Sequence, residues 1–203
     1  MTVRDHMNAS GVWLFRWRSF LPLLLALPTI AAMKGYAWPF GSYRVQEVWE
    51  TFCALVALGG LAVRVLTVGC VPGKTSGRNT KYQQASHLNT TGMYSIVRNP
   101  LYLGNFFIYM GVSLFPRVWW APLLMSLAFF LYYERIIYTE EDFLRKTHGA
   151  RFEEWAARTP AFFPGLKNWK SPSLPFSFRT VLRREYSGLM GVACAFFVLQ
   201  LIE

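Results

Sequence analysis

Long apolar runs restrict the fold of this chain more than any other feature. Residues 48–68 and 186–202 are almost wholly apolar, and each run is close in length to the roughly 20 residues that a helix needs to cross a bilayer. A helix satisfies its backbone N–H and C=O groups internally, which the bilayer interior requires. Because 53% of the residues are hydrophobic, an ordinary soluble domain is excluded. We therefore predict an all-α integral membrane bundle that forms a single domain over residues 1–203.

The hydropathy pattern predicts about five membrane segments. The third and fourth are too short to cross upright, and Pro116 and Arg117 separate them, which is typical of a helical hairpin. The first has a basic start and a short apolar core, so a signal peptide is the alternative interpretation there. The five segments are residues 12–33, 48–68, 101–115, 119–133 and 186–202.

The basic residues are unevenly distributed about these segments. Seventeen of the 21 Lys and Arg residues fall in the N-terminal tail or within residues 71–98 and 134–184, and three fall on the other side. Because basic residues mark the cytosolic side, we expect 71–98 and 134–184 to face the cytosol of a bacterial inner membrane. The formal charge of +10 then indicates contact with anionic lipid, and no nucleic-acid partner is expected.

Arg64 is the remaining basic residue, and it lies within the second segment. Either it extends to the bilayer surface along its own apolar stem, or it faces the bundle interior and holds an acidic group of a ligand. The sequence leaves both interpretations open. Cys53, Cys70 and Cys194 have no metal-ligand spacing, so neither a metal site nor a disulfide is expected.

The polar stretch that begins at Gly92 leads directly into the third segment. Gly92 allows a tight turn, and Pro100 suits the first turn of a helix from about residue 101 to 114. Gly104 and Gly111 lie two turns apart on one face of that helix. Small residues there allow another backbone or a ligand to approach closely.

Charged and aromatic side chains surround the start of this helix. A helix N-terminus, here at Leu101 and Tyr102, presents unpaired N–H groups that suit a carboxylate or a phosphate. Arg98 and Asn99 immediately precede it. The simpler interpretation is a membrane helix with an interfacial Arg and Tyr.

Residues 92–104, Gly-Met-Tyr-Ser-Ile-Val-Arg-Asn-Pro-Leu-Tyr-Leu-Gly, resemble the signature of the isoprenylcysteine carboxyl methyltransferase and phospholipid methyltransferase superfamily. A second block follows in the family's order, and the two blocks together cover about a third of the chain. The second block consists of Glu140, Glu141, Leu144, Gly149, Phe152, Trp155 and Pro160. Asn99 stands where many members have His, so no imidazole is available there.

The resemblance implies an enzyme that uses S-adenosylmethionine. Members of the superfamily are small integral membrane methyltransferases, so the implied acceptor is a membrane-embedded lipid or a lipidated molecule, methylated on oxygen or nitrogen. The implied catalytic residues are Arg98, Asn99 and Glu141. The implied cofactor-binding residues are Tyr94, Arg98, Asn99, Pro100, Leu101, Tyr102, Gly104, Glu140 and Glu141.

Other interpretations compete with this one. Glu140 and Glu141 also fit an interfacial acidic pair satisfied by Arg135 or Arg145 at helical spacing. At the level of function, a reductase of the sterol-reductase type would bind NADPH, and a non-catalytic membrane scaffold would bind neither cofactor. The sequence does not determine the oligomeric state.

Overall fold

The computed structural model describes residues 3–18, 24, 26–36, 42–72 and 87–203. The regular structure in these ranges is helical, which confirms the predicted all-α class. Half of the predicted loop 71–98, residues 73–86, lies outside the described residues. The α-helices are α1 (Val3–Arg16), α2 (Ala26–Ala32), α3 (Tyr43–Gly69), α4 (Met93–Ile96), α5 (Pro100–Leu114), α6 (Trp120–His148), α7 (Ala150–Arg158) and α8 (Phe178–Ile202).

Two of the described helices, α3 and α8, are long and apolar enough to cross a membrane. Their 27 and 25 residues correspond to about 40 Å and about 37 Å at the rise of an α-helix, which exceeds the hydrocarbon thickness of a bilayer. Most apolar side chains of α8 are exposed on the protein surface, as expected for a helix in contact with lipid. These helices fall on the predicted segments 48–68 and 186–202.

Helices α3 and α5 cross at very short range because their contact face is made of small residues. A Cβ atom added at Gly104 would lie 2.7 Å from the carbonyl oxygen of Gly60, and one added at Gly111 would lie 2.5 Å from that of Cys53. Any side chain at these positions would force the helices apart. The glycine face of α5 therefore receives another backbone, which is one of the two roles that the sequence allowed.

Helix α6 is longer than the sequence pattern indicated. The predicted segment 119–133 stops where charged residues begin, but the helix continues from Trp120 to His148. No Gly or Pro interrupts it after Pro122, and it ends at Gly149, whose φ of 55° is left-handed. One continuous helix thus carries both the apolar half of the hairpin with α5 and the paired glutamates.

The predicted first segment, residues 12–33, is divided in the structure. Helix α1 ends at Arg16 and α2 begins at Ala26. Helix α1 packs along α6, where the Tyr132 hydroxyl donates to the Leu14 carbonyl at 3.2 Å. The turn after α1 directs the Arg18 guanidinium toward α6.

Aromatic rings form the core between α1, α5 and α6. The Phe106 and Phe129 rings lie 5.2 Å apart across the hairpin, and Phe129 stacks on Tyr133 at 4.2 Å. Phe129 and Tyr133 are almost completely buried. This core fixes one face of α6, and Phe129 and Tyr133 at its edge also border the candidate site.

Candidate active site

Arg98 is at the centre of the candidate site. It follows Val97, whose extended backbone separates α4 from α5. Its Nε and Nη2 atoms donate to the two carboxylate oxygens of Glu141 on α6, at 2.9 and 3.2 Å. Its Nη1 atom donates to the carbonyl oxygens of Ala156 and Thr159, each at 2.9 Å. One guanidinium therefore joins α6 to the end of α7 and the chain that follows.

Asn99 completes the environment of the Glu141 carboxylate. Its Nδ2 atom donates to Glu141 Oε1 at 3.2 Å and to the Ala161 carbonyl at 3.0 Å. Both amide hydrogens are thus used, and the side chain does not cap α5 even though Asn99 is its N-cap residue. The three residues predicted to be catalytic, Arg98, Asn99 and Glu141, are brought into direct contact.

The Arg98–Glu141 pair has one hydrogen-bond donor and one acceptor position that no described residue of the protein uses. A guanidinium has five N–H donors, and four are used here, while a carboxylate has about four lone-pair positions, of which three accept hydrogen bonds. The two side chains are 18% and 16% exposed, so a ligand can reach them. A donor on Arg98 next to an acceptor on Glu141 suits a ligand that carries both an acceptor group and a donor group.

A cavity of about 300 Å³ lies next to Glu141. This volume is at the lower end of the range of small-molecule sites. Its walls are mainly apolar, with the Phe130 and Phe162 rings 5.1 Å apart. The lining residues are Phe129, Phe130, Tyr133, Glu134, Ile137, Tyr138, Glu141, Ala161 and Phe162. A planar or cationic group fits such aromatic walls.

Glu140 points away from Glu141 and has different partners. Arg18 donates to its carboxylate at 3.1 Å, and Tyr102 lies close enough to interact with it. Burial raises the pKa of the Glu140 carboxyl above its ordinary value of 4.5, and the Arg18 charge opposes that rise. The paired glutamates are therefore held by Arg18 and Arg98 and not by neighbours on α6, since Arg145 pairs with Glu153.

The other predicted site residues do not line the cavity. The carbonyl oxygen of Tyr94 accepts a hydrogen bond from Trp155 Nε1 at 2.9 Å, and burial raises the pKa of the Tyr94 phenol. Pro100 is buried and Leu101 is half-buried at the start of α5. Gly104 faces α3, as described above.

A second polar cluster lies between the membrane helices, and the sequence did not reveal it. Arg64 donates to both carboxylate oxygens of Glu185 on α8, at 2.7 and 2.9 Å. It also donates to Asn105 Oδ1 at 2.6 Å, and Asn105 donates to the Tyr133 hydroxyl at 3.2 Å. Arg64 therefore faces the bundle interior, as one of the two interpretations expected, but the acidic group that it binds is the Glu185 carboxylate of the chain itself.

The pattern of α8 contained a signal for Glu185. Val181, Glu185, Val192 and Leu199 are the buried residues of this helix. Their spacings of four, seven and seven residues place them on one helical face. A charged residue on an otherwise apolar buried face indicates an interior partner.

No group of three or more His, Cys, Asp or Glu side chains that could hold a metal ion occurs among the residues that the structure describes. The three cysteines are free, with Cys53 buried in α3 and Cys194 exposed on α8.

The residues of the candidate site lie within a region that is similar to known proteins. A model of the phospholipid methyltransferase family matches residues 49–151, a range that includes Arg98, Asn99 and Glu141. Isoprenylcysteine methyltransferases also appear among the relatives: the protein-S-isoprenylcysteine O-methyltransferase of Schizosaccharomyces pombe is 31% identical over 77 residues, covering 38% of this chain and 33% of the relative.

Two bacterial relatives are similar over more of their length. The nickel-cobalt-cadmium resistance protein NccN of Alcaligenes xylosoxydans xylosoxydans is 37% identical over 161 residues, covering 77% of this chain and 67% of the relative. The cobalt-zinc-cadmium resistance protein CzcN of Cupriavidus metallidurans is 34% identical over 137 residues, covering 66% of this chain and 60% of the relative. No solved structure is significantly similar to the chain.

Proposed function

Because this chain belongs to the phospholipid methyltransferase family, we propose that it transfers a methyl group from S-adenosylmethionine to a lipid or lipidated acceptor in the membrane. The observation that carries the proposal is the position of Glu141, which is fixed by Arg98 and Asn99 and forms part of the wall of an aromatic cavity. A site of this kind combines polar recognition with an apolar pocket.

The residues present fit S-adenosylmethionine by their chemistry. The free acceptor position of Glu141 suits the cofactor's ammonium or ribose hydroxyls, and the free donor of Arg98 suits its carboxylate. Aromatic rings in the cavity wall, such as Phe130 and Phe162, suit the adenine and the sulfonium. When bound, the cofactor supplies an electrophilic methyl group on a positively charged sulfur.

The protein's own contribution in this proposal is orientation and exclusion of water. Methyl transfer needs the acceptor atom in line with the methyl group at close range, and correct placement alone accounts for a large part of such a rate enhancement. Arg98 and Asn99 fix the Glu141 carboxylate, so the polar end of the site is rigid. The apolar walls exclude water, which would compete for the methyl group.

The acceptor is proposed to enter from the bilayer. The cavity lies against α6, where Phe130 is 40% exposed on the surface and Glu134 is also exposed. An acyl or prenyl chain in contact with this surface would gain about 0.8 kcal/mol for each buried CH₂ group. An intact lipid should therefore react much faster than its water-soluble headgroup, and equal rates in nanodiscs would exclude lateral entry.

The location proposed for the site is the cytosolic face of a bacterial inner membrane. This follows from the distribution of basic residues, and it places the site where S-adenosylmethionine is made. With five segments, reporter fusions at Glu203 and within residues 71–97 should lie on opposite sides. Reporters on the same side would contradict the number of segments.

The metal resistance named for two relatives is compatible with a lipid substrate. Anionic headgroups create the negative potential that attracts cations to a membrane surface. Methylation of an ionised headgroup oxygen would remove one negative charge. We propose this route as the connection for the present chain, and an acceptor that is uncharged before methylation, or a membrane surface charge that methylation leaves unchanged, would argue against it.

The experiment that tests the function is a methyl-transfer assay with a labelled cofactor and a total lipid extract. The purified protein should produce a labelled lipid that mass spectrometry can identify. The variant Glu141→Gln should lose most of this activity, whereas Glu154→Gln, an exposed carboxylate on α7, should retain it. Binding of NADPH without binding of S-adenosylhomocysteine would instead support the reductase, and binding of neither would support a scaffold.

A further inference from the structure

The segment that follows the candidate site has an unusual charge composition. From Trp155 to Arg184, with both included, the chain contains six basic residues and no Asp or Glu. Residues 163–177 form an irregular connection from the site to α8, with one short 3₁₀ turn at Leu166–Asn168, and residues 178–183 are the first turns of α8. We call residues 163–183 the C-terminal strap.

The backbone of the strap is fixed to the rest of the protein. Near its start, the Gly165 N–H donates to the Ile96 carbonyl at 2.8 Å, and before α8 the Ser177 N–H donates to the Gly69 carbonyl at 2.9 Å. These bonds anchor it to α4 and to the end of α3. The strap is therefore a defined surface.

Its side chains combine exposed apolar groups with exposed positive charges. Phe163 is 76% exposed, Leu166 73% and Trp169 52%. Phe178 and Leu182 are exposed to a similar extent at the start of α8. The exposed basic residues interleaved with them are Lys167, Lys170, Arg179 and Arg183.

We propose that the strap binds the anionic phospholipid surface of the membrane on the side of the candidate site. Lys and Arg side chains attract anionic headgroups, and adjacent aromatic and aliphatic side chains insert at the boundary between headgroups and acyl chains. The absence of any acidic residue from the strap makes this surface complementary to negative lipid. A second copy of the chain is disfavoured as the occupant because two straps would bring like charges together.

Trp169 gives a direct reporter of this contact. The full chain is reconstituted in nanodiscs that contain brominated phosphatidylglycerol or brominated phosphatidylcholine at equal mole fraction, and Trp169→Phe is measured in parallel to isolate the Trp169 signal. The expected quenching of Trp169 is about twofold or more greater with the anionic lipid, since each basic residue adds to the attraction. High salt should reduce the difference.

Charge-matched variants decide whether the strap is responsible. Lys167→Gln combined with Lys170→Gln should abolish the preference for anionic lipid. Lys34→Gln combined with Arg44→Gln removes the same charge from exposed residues far from the strap and should leave the preference intact. Equal quenching by the two lipids, no quenching by either, or a preference that survives the Lys167 and Lys170 changes would each overturn the proposal.

Discussion

Two arginine–carboxylate pairs have the same local geometry and different surroundings. Arg98 and Glu141 form a two-point ion pair beside the cavity, and Arg64 and Glu185 form another between α3 and α8. The carboxylate is 16% exposed in the first pair and 6% in the second. Two further donors of Arg98 bind backbone carbonyls, whereas Arg64 binds the Asn105 side chain.

This difference shows how one interaction serves two purposes. Two backbone carbonyls bind Nη1 of Arg98, and its carboxylate partner keeps one acceptor position for a ligand at the cavity. The Arg64 pair is enclosed by side chains of three helices and is suited to holding those helices together. Tyr133 links the two regions, because its hydroxyl accepts from Asn105 and its ring lines the cavity.

The largest expected effect comes from breaking the interior pair. Glu185→Leu should leave the Arg64 charge without its partner and reduce the free energy of unfolding by about 3–5 kcal/mol. The combined variant Arg64→Leu with Glu185→Leu should recover much of that loss, because no unpaired charge remains. Thermal unfolding in detergent measures both. A double variant less stable than the single one would contradict a mainly structural role.

The second effect concerns the short approach of α3 to α5, which brings Arg64 to Asn105. Gly60→Ala places a Cβ atom against the Gly104 carbonyl oxygen and the backbone of Ile108, so it should destabilise the protein by about 1–3 kcal/mol. Its neighbour Gly59 has no atom within 4 Å of an added Cβ, so Gly59→Ala should be neutral or stabilising. Equal melting temperatures for the two variants would show that the helices are not this close.

The sequence predicted the helical class, the membrane character and the grouping of Arg98, Asn99 and Glu141. Proline placement fixed the start of α5, and family spacing identified the paired glutamates. The sequence did not indicate that α6 continues past Tyr133. The predicted segment was ended where charged residues begin, but that change in composition marks where the helix leaves the apolar environment and does not mark where the helix ends. The partner of Arg64 was also missed, since it lies 121 residues away.

Long-range contacts explain the other differences. The partner of Arg18, Glu140, lies 122 residues further along the chain. The Thr159 and Ala156 carbonyls that hold Arg98 carry no side-chain signal at all. Such backbone ligands depend on how α7 ends, and only the folded arrangement reveals them.

The smallest expected effect is a pH dependence from Glu140. Because the pKa of this carboxyl is raised in the folded protein, the folded state keeps its proton to higher pH than the unfolded chain does. The free energy of unfolding should therefore fall as the pH rises from 4.5 through the folded pKa. Melting curves of Glu140→Gln should lack this decrease. The same slope in both proteins would mean that another group titrates.

The central claim is that Glu141 takes part in cofactor binding, and calorimetric titration with S-adenosylhomocysteine tests it most directly. We predict that the wild-type protein binds and that Glu141→Gln weakens binding by about 1–3 kcal/mol, the scale for losing a charged hydrogen-bond partner. Glu154→Gln should bind as the wild type does, and near-unchanged melting temperatures would show that all three proteins are folded. An unchanged affinity in Glu141→Gln would contradict the account and leave the Arg98–Glu141 pair with a structural role only.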